Sequence, residues 1–131
     1  MKPVTWFSIP ADDMARALSF YEKAFGWKIL PETVEPDPVY NYHVTLNSAS
    51  NEKSRPVVAG TVNGCIVNRD IGLAHPAVLV RVDDLGEAVR GVVAAGGTTA
   101  TEVTPMVSLN GTFVLVRDTE GNLVELFAED R

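Results

Sequence analysis

The sequence has little cysteine and little positive charge. Cys65 is the only cysteine among 131 residues, which excludes an intramolecular disulfide and a zinc site built from several thiolates. The 11 Lys and Arg residues are outnumbered by 17 Asp and Glu, and the net charge of -6 disfavours binding to nucleic-acid backbones. We therefore expect no nucleic-acid partner.

Long apolar runs are also missing. No stretch approaches the roughly 18 apolar residues of a membrane-spanning helix. The opening residues, Met1 to Pro10, lack the basic segment and apolar run of a secretory signal. These absences favour a cytoplasmic protein without membrane contact. The composition, 46% apolar and 21% charged, is typical of a folded globular domain.

The first half of the chain predicts a strand, a helix and three further strands. Apolar residues at helical spacing run from Met14 to Phe25, between Asp12-Asp13 and Gly26. The polar stretch Asn47 to Arg55 predicts an exposed loop. The predicted strands are Val4 to Ile9, Trp27 to Val34, Val39 to Leu46 and Val57 to Val67, with a turn at Glu35 to Pro38 before the third.

The second half repeats this order. A predicted strand at Ala77 to Val82 precedes a helix from Asp84 to Ala95, which ends at Gly96-Gly97. Asp84 and Glu87 have the spacing of an acidic capping box. The remaining predicted strands are Thr98 to Val107, Thr112 to Arg117 and Leu123 to Phe127, with a turn at Asp118 to Asn122.

An offset of 71 residues aligns the two halves. It pairs Ile9 with Val80, Met14 with Leu85 and Gly26 with Gly97, which favours an internal repeat. Caps and terminal glycines are common to many strand-helix units, but the equal number of downstream strands supports duplication. We predict a single domain over residues 1–131, with module 1 at about residues 1–70 and module 2 at about residues 74–131.

Short motifs are spread along nearly the whole chain, at Ser8 to Asp13, Phe20 to Trp27, Val82 to Leu85, Ala94 to Gly97 and Asp118 to Leu126. Together they resemble the vicinal oxygen chelate superfamily, which includes glyoxalase I, bleomycin-resistance proteins and extradiol dioxygenases. The resemblance implies an α+β fold. Two tandem βαβββ modules curl into an incomplete barrel, with helices outside and a ligand in the cleft between modules.

The same resemblance implies four positions at which metal-using members place ligands. Here they are Trp6, Ile66, Ala77 and Glu125, and Ile66 is uncertain by one residue. Indole and aliphatic side chains cannot donate a lone pair to a divalent ion, so only Glu125 suits a metal. His75, two residues before Ala77, gives a His75 and Glu125 pair as the best remaining metal site. We expect no metal and no other cofactor.

Strand alternation predicts the side chains that contact a ligand. They are Trp6, Ser8, Tyr42, His43, Leu79, Arg81, Phe113, Leu115, Glu125 and Phe127. Aromatic and aliphatic groups with a few polar ones are typical of small-molecule sites. Trp6 either stacks on a ligand or packs in the core. Arg81 and Glu125 either orient an ionic ligand or neutralise each other.

Glu125 and His43 are the candidate catalytic residues, because a carboxylate or an imidazole can act as a general base. A hydrogen-bonded structural role for His43 is the alternative. Cys65 has no adjacent basic residue and is interpreted as an inert buried thiol.

The residue types at the candidate metal, ligand and catalytic positions favour ligand binding over catalysis. The leading hypothesis is a metal-independent binding protein of the glyoxalase and bleomycin-resistance type, holding a small apolar or aromatic compound. The alternatives are a glyoxalase-like enzyme related to lactoylglutathione lyase, another lyase, isomerase or oxidoreductase of the superfamily that uses Glu125, and a scaffold without a ligand. Because members of this superfamily frequently pair and exposed sheet edges favour pairing, we also expect a homodimer.

Overall fold

The computed structural model describes residues 1–35 and 40–130 of the chain. Its α-helices are α1 (Met14–Phe25) and α2 (Leu85–Ala94), and short 3-10 helices lie at Arg69–Ile71 and Val107–Leu109. Its strands are β1 (Val4–Ala11), β2 (Lys28–Ile29), β3 (Tyr42–Leu46), β4 (Gly64–Asn68), β5 (Ala77–Arg81), β6 (Thr98–Thr99), β7 (Thr104–Met106), β8 (Gly111–Arg117) and β9 (Leu123–Glu129). The backbone groups into an N-terminal unit, Trp6–Pro76, and a C-terminal unit, Met1–Thr5 with Ala77–Arg131.

The two units have the same strand pattern. In the N-terminal unit the order is β2-β3-β4-β1, with β1 parallel to β4 and the other pairs antiparallel. In the C-terminal unit the order is β5-β9-β8-β6, with β5 parallel to β9 and β7 also paired to β8. Each unit thus joins the first and last strand of its own module side by side. The predicted α+β class with two βαβββ modules is confirmed.

The helices begin at the predicted acidic residues. Asp13 Oδ1 accepts a hydrogen bond from the Arg16 amide at 3.0 Å, and Asp84 Oδ1 accepts one from the Glu87 amide at 2.9 Å. Each bond satisfies an amide that the first helical turn leaves without a partner. Gly26 follows α1 with a φ of 69°, a left-handed conformation that glycine adopts without strain.

Each helix packs on one face of its own sheet. In the C-terminal unit, α2 contributes Leu85 and Ala88 to a buried cluster with Val82, Val114, Val116, Leu126 and Ala128. In the N-terminal unit, Trp27 stacks on Tyr21 of α1 with ring centroids 5.0 Å apart. The Phe7 ring of β1 lies 5.6 Å from the same Trp27 ring, so Phe7 is on the α1 side of its strand.

Three predicted strands are shorter than expected. Trp27 to Val34 is a strand only at Lys28–Ile29, Val57 to Val67 only at its end, and Thr98 to Val107 divides into β6 and β7. The predicted turn after Glu35 and the start of the third strand fall on residues 36–39, outside the described residues. Among the residues that are described, no helix has the length and apolar character needed to span a bilayer.

Candidate functional site

The C-terminal sheet presents one face to α2 and the opposite face away from it. Leu79 of β5 and Leu115 of β8 both lie directly opposite Glu125 of β9, while Arg81 and Phe113 lie opposite Phe127. Residues paired across a sheet point to the same side, and the intervening residues pack on α2. We call this second surface the Glu125 face, formed by Leu79, Arg81, Phe113, Leu115, Glu125 and Phe127.

Glu125 is buried within this face. Its exposed fraction is 6%, and the two leucines that flank it, Leu79 and Leu115, are buried as well. Removing a carboxylate from water costs several kcal/mol, on the order of the whole stability of a small domain, unless polar groups compensate it. An aliphatic side chain at position 125 would pack without this desolvation cost. We therefore expect Glu125 to have a role other than packing in the core.

Arg81 does not form the predicted pair with Glu125. Its guanidinium donates instead to Glu129 Oε2, within the same unit. Strand β9 continues to Glu129, two residues beyond the predicted end at Phe127. Arg81 lies opposite Phe127 in the strand register. Glu125 and Glu129 are each two residues from Phe127 on the same side of β9, and Arg81 contacts Glu129.

The N-terminal unit has its own sheet face turned away from α1, which we call the Ser8 face. Ser8 lies opposite Cys65, and the Ser8 Oγ and Cys65 Sγ atoms are 3.3 Å apart in a buried contact. Tyr42 lies opposite Val67, two residues after Cys65, and so shares this face. Trp6, half-buried, precedes Ser8 by two residues and has the same strand parity.

A buried carboxylate beside Tyr42 was missed at the level of sequence. The Tyr42 hydroxyl donates to Glu35 Oε1 at 3.2 Å, and both residues are buried. Glu35 stands in a run of turn residues, Glu35 to Pro38, which predicts an exposed position. Nothing in the local pattern indicates that its side chain folds back onto strand β3.

Ile66 and His43 lie on the side of the N-terminal sheet that holds Phe7 and faces α1. Ile66 is opposite both Ile9 and His43, while Cys65 takes the place on the Ser8 face that was assigned to Ile66. The His43 Nδ1 atom is 2.8 Å from the Leu30 carbonyl oxygen. That contact matches the structural role considered for His43, and its ring is directed away from Tyr42.

An open groove of about 1020 Å³ lies beside α2 in the C-terminal unit. It runs between the first residues of the chain and the helix, and Arg81 also borders it. Its lining includes Lys2, Asp83, Asp84, Glu87 and Arg90. Aliphatic residues of α2, among them Ala88 and Val92, also line it. Of the residues predicted to contact a ligand, the groove is lined by Arg81 alone, so it does not correspond to the predicted site.

Comparison with known protein families identifies the superfamily of this chain. A family model described as the Glyoxalase/Bleomycin resistance protein/Dioxygenase superfamily matches residues 4–126. The chain belongs to this superfamily. The match includes both modules, from the first residue of β1 to Leu126 in β9, and it confirms the resemblance read from the sequence motifs.

Relatives within the superfamily carry the name lactoylglutathione lyase. The protein of Escherichia coli O157:H7 with that name is 26% identical over 117 residues, which are 89% of this chain and 85% of the relative. A "probable lactoylglutathione lyase, chloroplastic" of Arabidopsis thaliana is also 26% identical, over 92% of this chain. The chain spans only 34% of the length of that Arabidopsis protein.

Solved structures share the superfamily fold. A methylmalonyl-CoA epimerase from Mycobacterium tuberculosis superposes with a TM-score of 0.66 at 16% identity, covering 98% of this chain and 88% of the epimerase. A hypothetical protein from Bacillus halodurans C-125 gives a TM-score of 0.70 at 12% identity, covering 99% and 96%. At these identities the likeness concerns the fold.

The positions that the sequence resemblance assigns to metal ligands offer few groups that suit a divalent ion. Trp6 and Ala77 have no lone pair to donate to a metal, and Cys65, which lies on the Ser8 face in place of Ile66, contacts Ser8. His75 is exposed in the segment before β5. In the described ranges 1–35 and 40–130, no group of three or more His, Cys, Asp or Glu side chains is placed to hold a metal.

Proposed function

We propose that the chain binds a small apolar or aromatic molecule on the Glu125 face, without a resident metal. One observation carries the proposal: a buried carboxylate lies between two leucine side chains of the neighbouring strands. The half-buried ring of Phe127 supplies apolar contact area, and the buried Leu79 and Leu115 pack on either side of Glu125. Glu125 supplies an acceptor that orients a donor or cationic group of the ligand.

Superfamily membership supports the proposal, as does the half-buried state of Phe127 beside the fully packed Leu115. The ligand contacts of Trp6, Ser8 and Tyr42 remain predictions. These three residues lie on the Ser8 face of the N-terminal unit. The chemistry of the donor set argues against a metal-bound ligand, since one carboxylate and one thiol are the metal-compatible groups at the four positions.

A ligand screen by thermal shift tests the proposal. Small aromatic and apolar compounds, charged and neutral, are screened in the presence of EDTA, because a compound that binds the native state raises the melting temperature. Hits are then measured by calorimetry against Glu125→Gln, which keeps the shape of the side chain and removes its charge. We expect at least a tenfold loss of affinity, about 1.4 kcal/mol, for compounds that carry a cationic group.

The matched control is Glu102→Gln, the same change at an exposed position of the same unit. It should leave the affinity of every hit unchanged. The proposal fails if no compound raises the melting temperature, or if cationic hits bind Glu125→Gln as tightly as the original protein. Circular dichroism of each variant establishes that the comparison is made between folded proteins.

A second candidate is a glyoxalase-like activity, favoured by the names of the relatives of similar length. The test is formation of lactoylglutathione from methylglyoxal and glutathione, with nickel, zinc, manganese or iron added in turn. Turnover that requires a stoichiometric metal would establish this candidate and overturn the metal-independent proposal. Absence of turnover with all four metals, together with hits in the EDTA screen, would support the first.

A further inference from the structure

Strand β9 carries two carboxylates at equal spacing from Arg81. Arg81 lies opposite Phe127 in the register of β5 and β9. Glu125 precedes Phe127 by two residues and Glu129 follows it by two, so both point to the same side of the sheet as Arg81. Each carboxylate residue is about 7 Å from Phe127 along the strand. The register alone therefore allows Arg81 to pair with either one.

The surroundings of the two carboxylates differ. Glu125 is 6% exposed and lies between two leucines of the neighbouring strands. The side chain of Glu129 is 37% exposed, and Gly111, which has no side chain, lies opposite it on β8. A guanidinium that moved to Glu125 would lose most of its water, whereas at Glu129 it stays partly solvated. Arg81 accordingly pairs with Glu129.

We propose that Glu129 is a positioning residue, which holds Arg81 at the exposed end of the Glu125 face and so keeps the positive charge of Arg81 away from Glu125. This role rests on the proposed function, because Glu125 is the acceptor that the ligand uses there. An arginine that paired with Glu125 would neutralise the carboxylate and take the place of a cationic group of the ligand. Glu129 prevents this competition from within the chain.

The charges of this group define the class of ligand. Glu125, Glu129 and Arg81 together carry one net negative charge, which attracts a cation and repels an anion. The half-buried ring of Phe127 lies between the two carboxylates along β9, and an aromatic face also attracts cations. The site therefore favours a small organic cation, such as an amine or amidine with an apolar group, over an anion of the same shape.

Calorimetry on three proteins tests the role of Glu129. The probes are benzylamine, benzamidine and any cationic hit of the thermal-shift screen, with benzyl alcohol and benzamide as neutral counterparts. We expect Glu129→Gln to weaken the cationic compounds that depend on Glu125 about tenfold, because Arg81 then turns to Glu125. The double variant, Arg81→Gln with Glu129→Gln, should recover most of that loss. The neutral compounds should bind the original protein and both variants equally.

The matched control is again Glu102→Gln, which removes the same charge at an exposed position of the same unit. It should change no affinity. A Glu129 that served only the stability of the strand end would give a different pattern. Affinity would then fall for neutral and cationic compounds alike, and the double variant would bind more weakly than Glu129→Gln.

A double-mutant cycle locates Arg81 without any ligand. Arg81→Gln and Glu125→Gln are combined in the original protein and again in Glu129→Gln, and the midpoints of urea denaturation are compared. Urea is uncharged, so it does not screen the charge pairs as a salt would. Residues 81 and 125 should be weakly coupled in the original protein and strongly coupled once Glu129 is replaced.

Two outcomes would overturn this role and leave the proposed function standing. One is that cationic compounds which depend on Glu125 bind Glu129→Gln as tightly as the original protein. The other is equal coupling of Arg81 and Glu125 in both backgrounds of the cycle. If no compound depends on Glu125, the proposed function fails, and the role of Glu129 in ligand binding fails with it.

Discussion

Gly64 lies so close to strand β1 that a methyl group has no room there. An added Cβ would meet the carbonyl oxygen and ring of Phe7. Gly91, in the middle of α2, is the opposite case, since nothing lies within 4 Å of its added Cβ. The same residue type therefore serves close packing at one position and is a weak helix former at the other.

We predict that Gly64→Ala lowers the free energy of unfolding by about 1–3 kcal/mol, because the ring and backbone of Phe7 must shift. Gly91→Ala should raise it by about 0.5–1 kcal/mol, because alanine loses less backbone entropy in a helix. Urea denaturation of both variants measures the two effects. Destabilisation of equal size in both would contradict this account of Gly64.

Asp118 shows how a turn changes the pKa of an exposed carboxyl group. The Asn122 amide donates to Asp118 Oδ1 at 2.8 Å, and the Asn122 side chain donates to Oδ2 at 3.1 Å. These bonds, and one from the Glu120 amide, hold the pKa of Asp118 below its ordinary value of 3.8. Each donor stabilises the charged form, so protonation loosens the turn.

A lowered pKa in the folded state contributes stability that is complete above the ordinary pKa and is lost as the pH falls through the folded value. We predict that the difference in unfolding free energy between the original protein and Asp118→Asn shrinks as the pH falls from about 5 to 2. Denaturation at each pH measures it. An NMR titration of Asn122→Ala should show only part of the pKa change reversed, since the Asn122 backbone donor remains.

At the scale of elements, the helices could be predicted because their signals are local. Caps, an apolar stripe and a terminal glycine lie within a dozen residues of one another. The strands of the N-terminal unit depend on distant contacts. Asn63, fully buried, donates to Ser50 Oγ and to the Ser54 carbonyl oxygen. These hydrogen bonds hold residues 50–63 in a loop. The apolar pattern of Val57 to Val62 had predicted a strand there.

The cap of α2 gives a prediction at this scale. Asp84→Ala should lower the free energy of unfolding by about 1 kcal/mol, because the Glu87 amide loses its acceptor. Asp84→Ser, which keeps a capping oxygen, should recover most of that loss. Thermal denaturation compares the three proteins. An equal loss in both variants would mean that the charge of Asp84 matters rather than its hydrogen bond.

At the scale of the whole molecule, the superfamily and the fold class could be read from the sequence. The family match confirms the superfamily, and the solved structures have the same fold. The site was predicted less completely. Strand parity identified the residues of the Glu125 face, since alternation is fixed by the backbone. It could not identify the ion pair between Arg81 and Glu129 or the contact between Tyr42 and Glu35, because both depend on where a strand ends or a loop returns.

A prediction for the intact chain concerns metal removal. If no ion is held at the superfamily positions, dialysis against EDTA should leave the melting temperature unchanged, and metal analysis should find well under one equivalent per chain. A protein that gains stability from a bound metal loses it with the metal. A drop of several degrees after dialysis, restored by one added metal, would contradict the prediction.

The residues of strand β1 are divided between the two units, which affects how the chain can be cut into fragments. Its first residues group with the C-terminal unit, where the Pro3 carbonyl accepts the Arg81 amide at 2.9 Å, while Trp6 onward group with the N-terminal unit. A fragment that starts at codon 77 omits that acceptor, and one that stops at codon 76 carries it without its donor. No single cut of the chain therefore separates two complete units. In a circular permutant that begins at Trp6 and carries residues 1–5 after the C-terminal half, one cut after Pro76 would separate them.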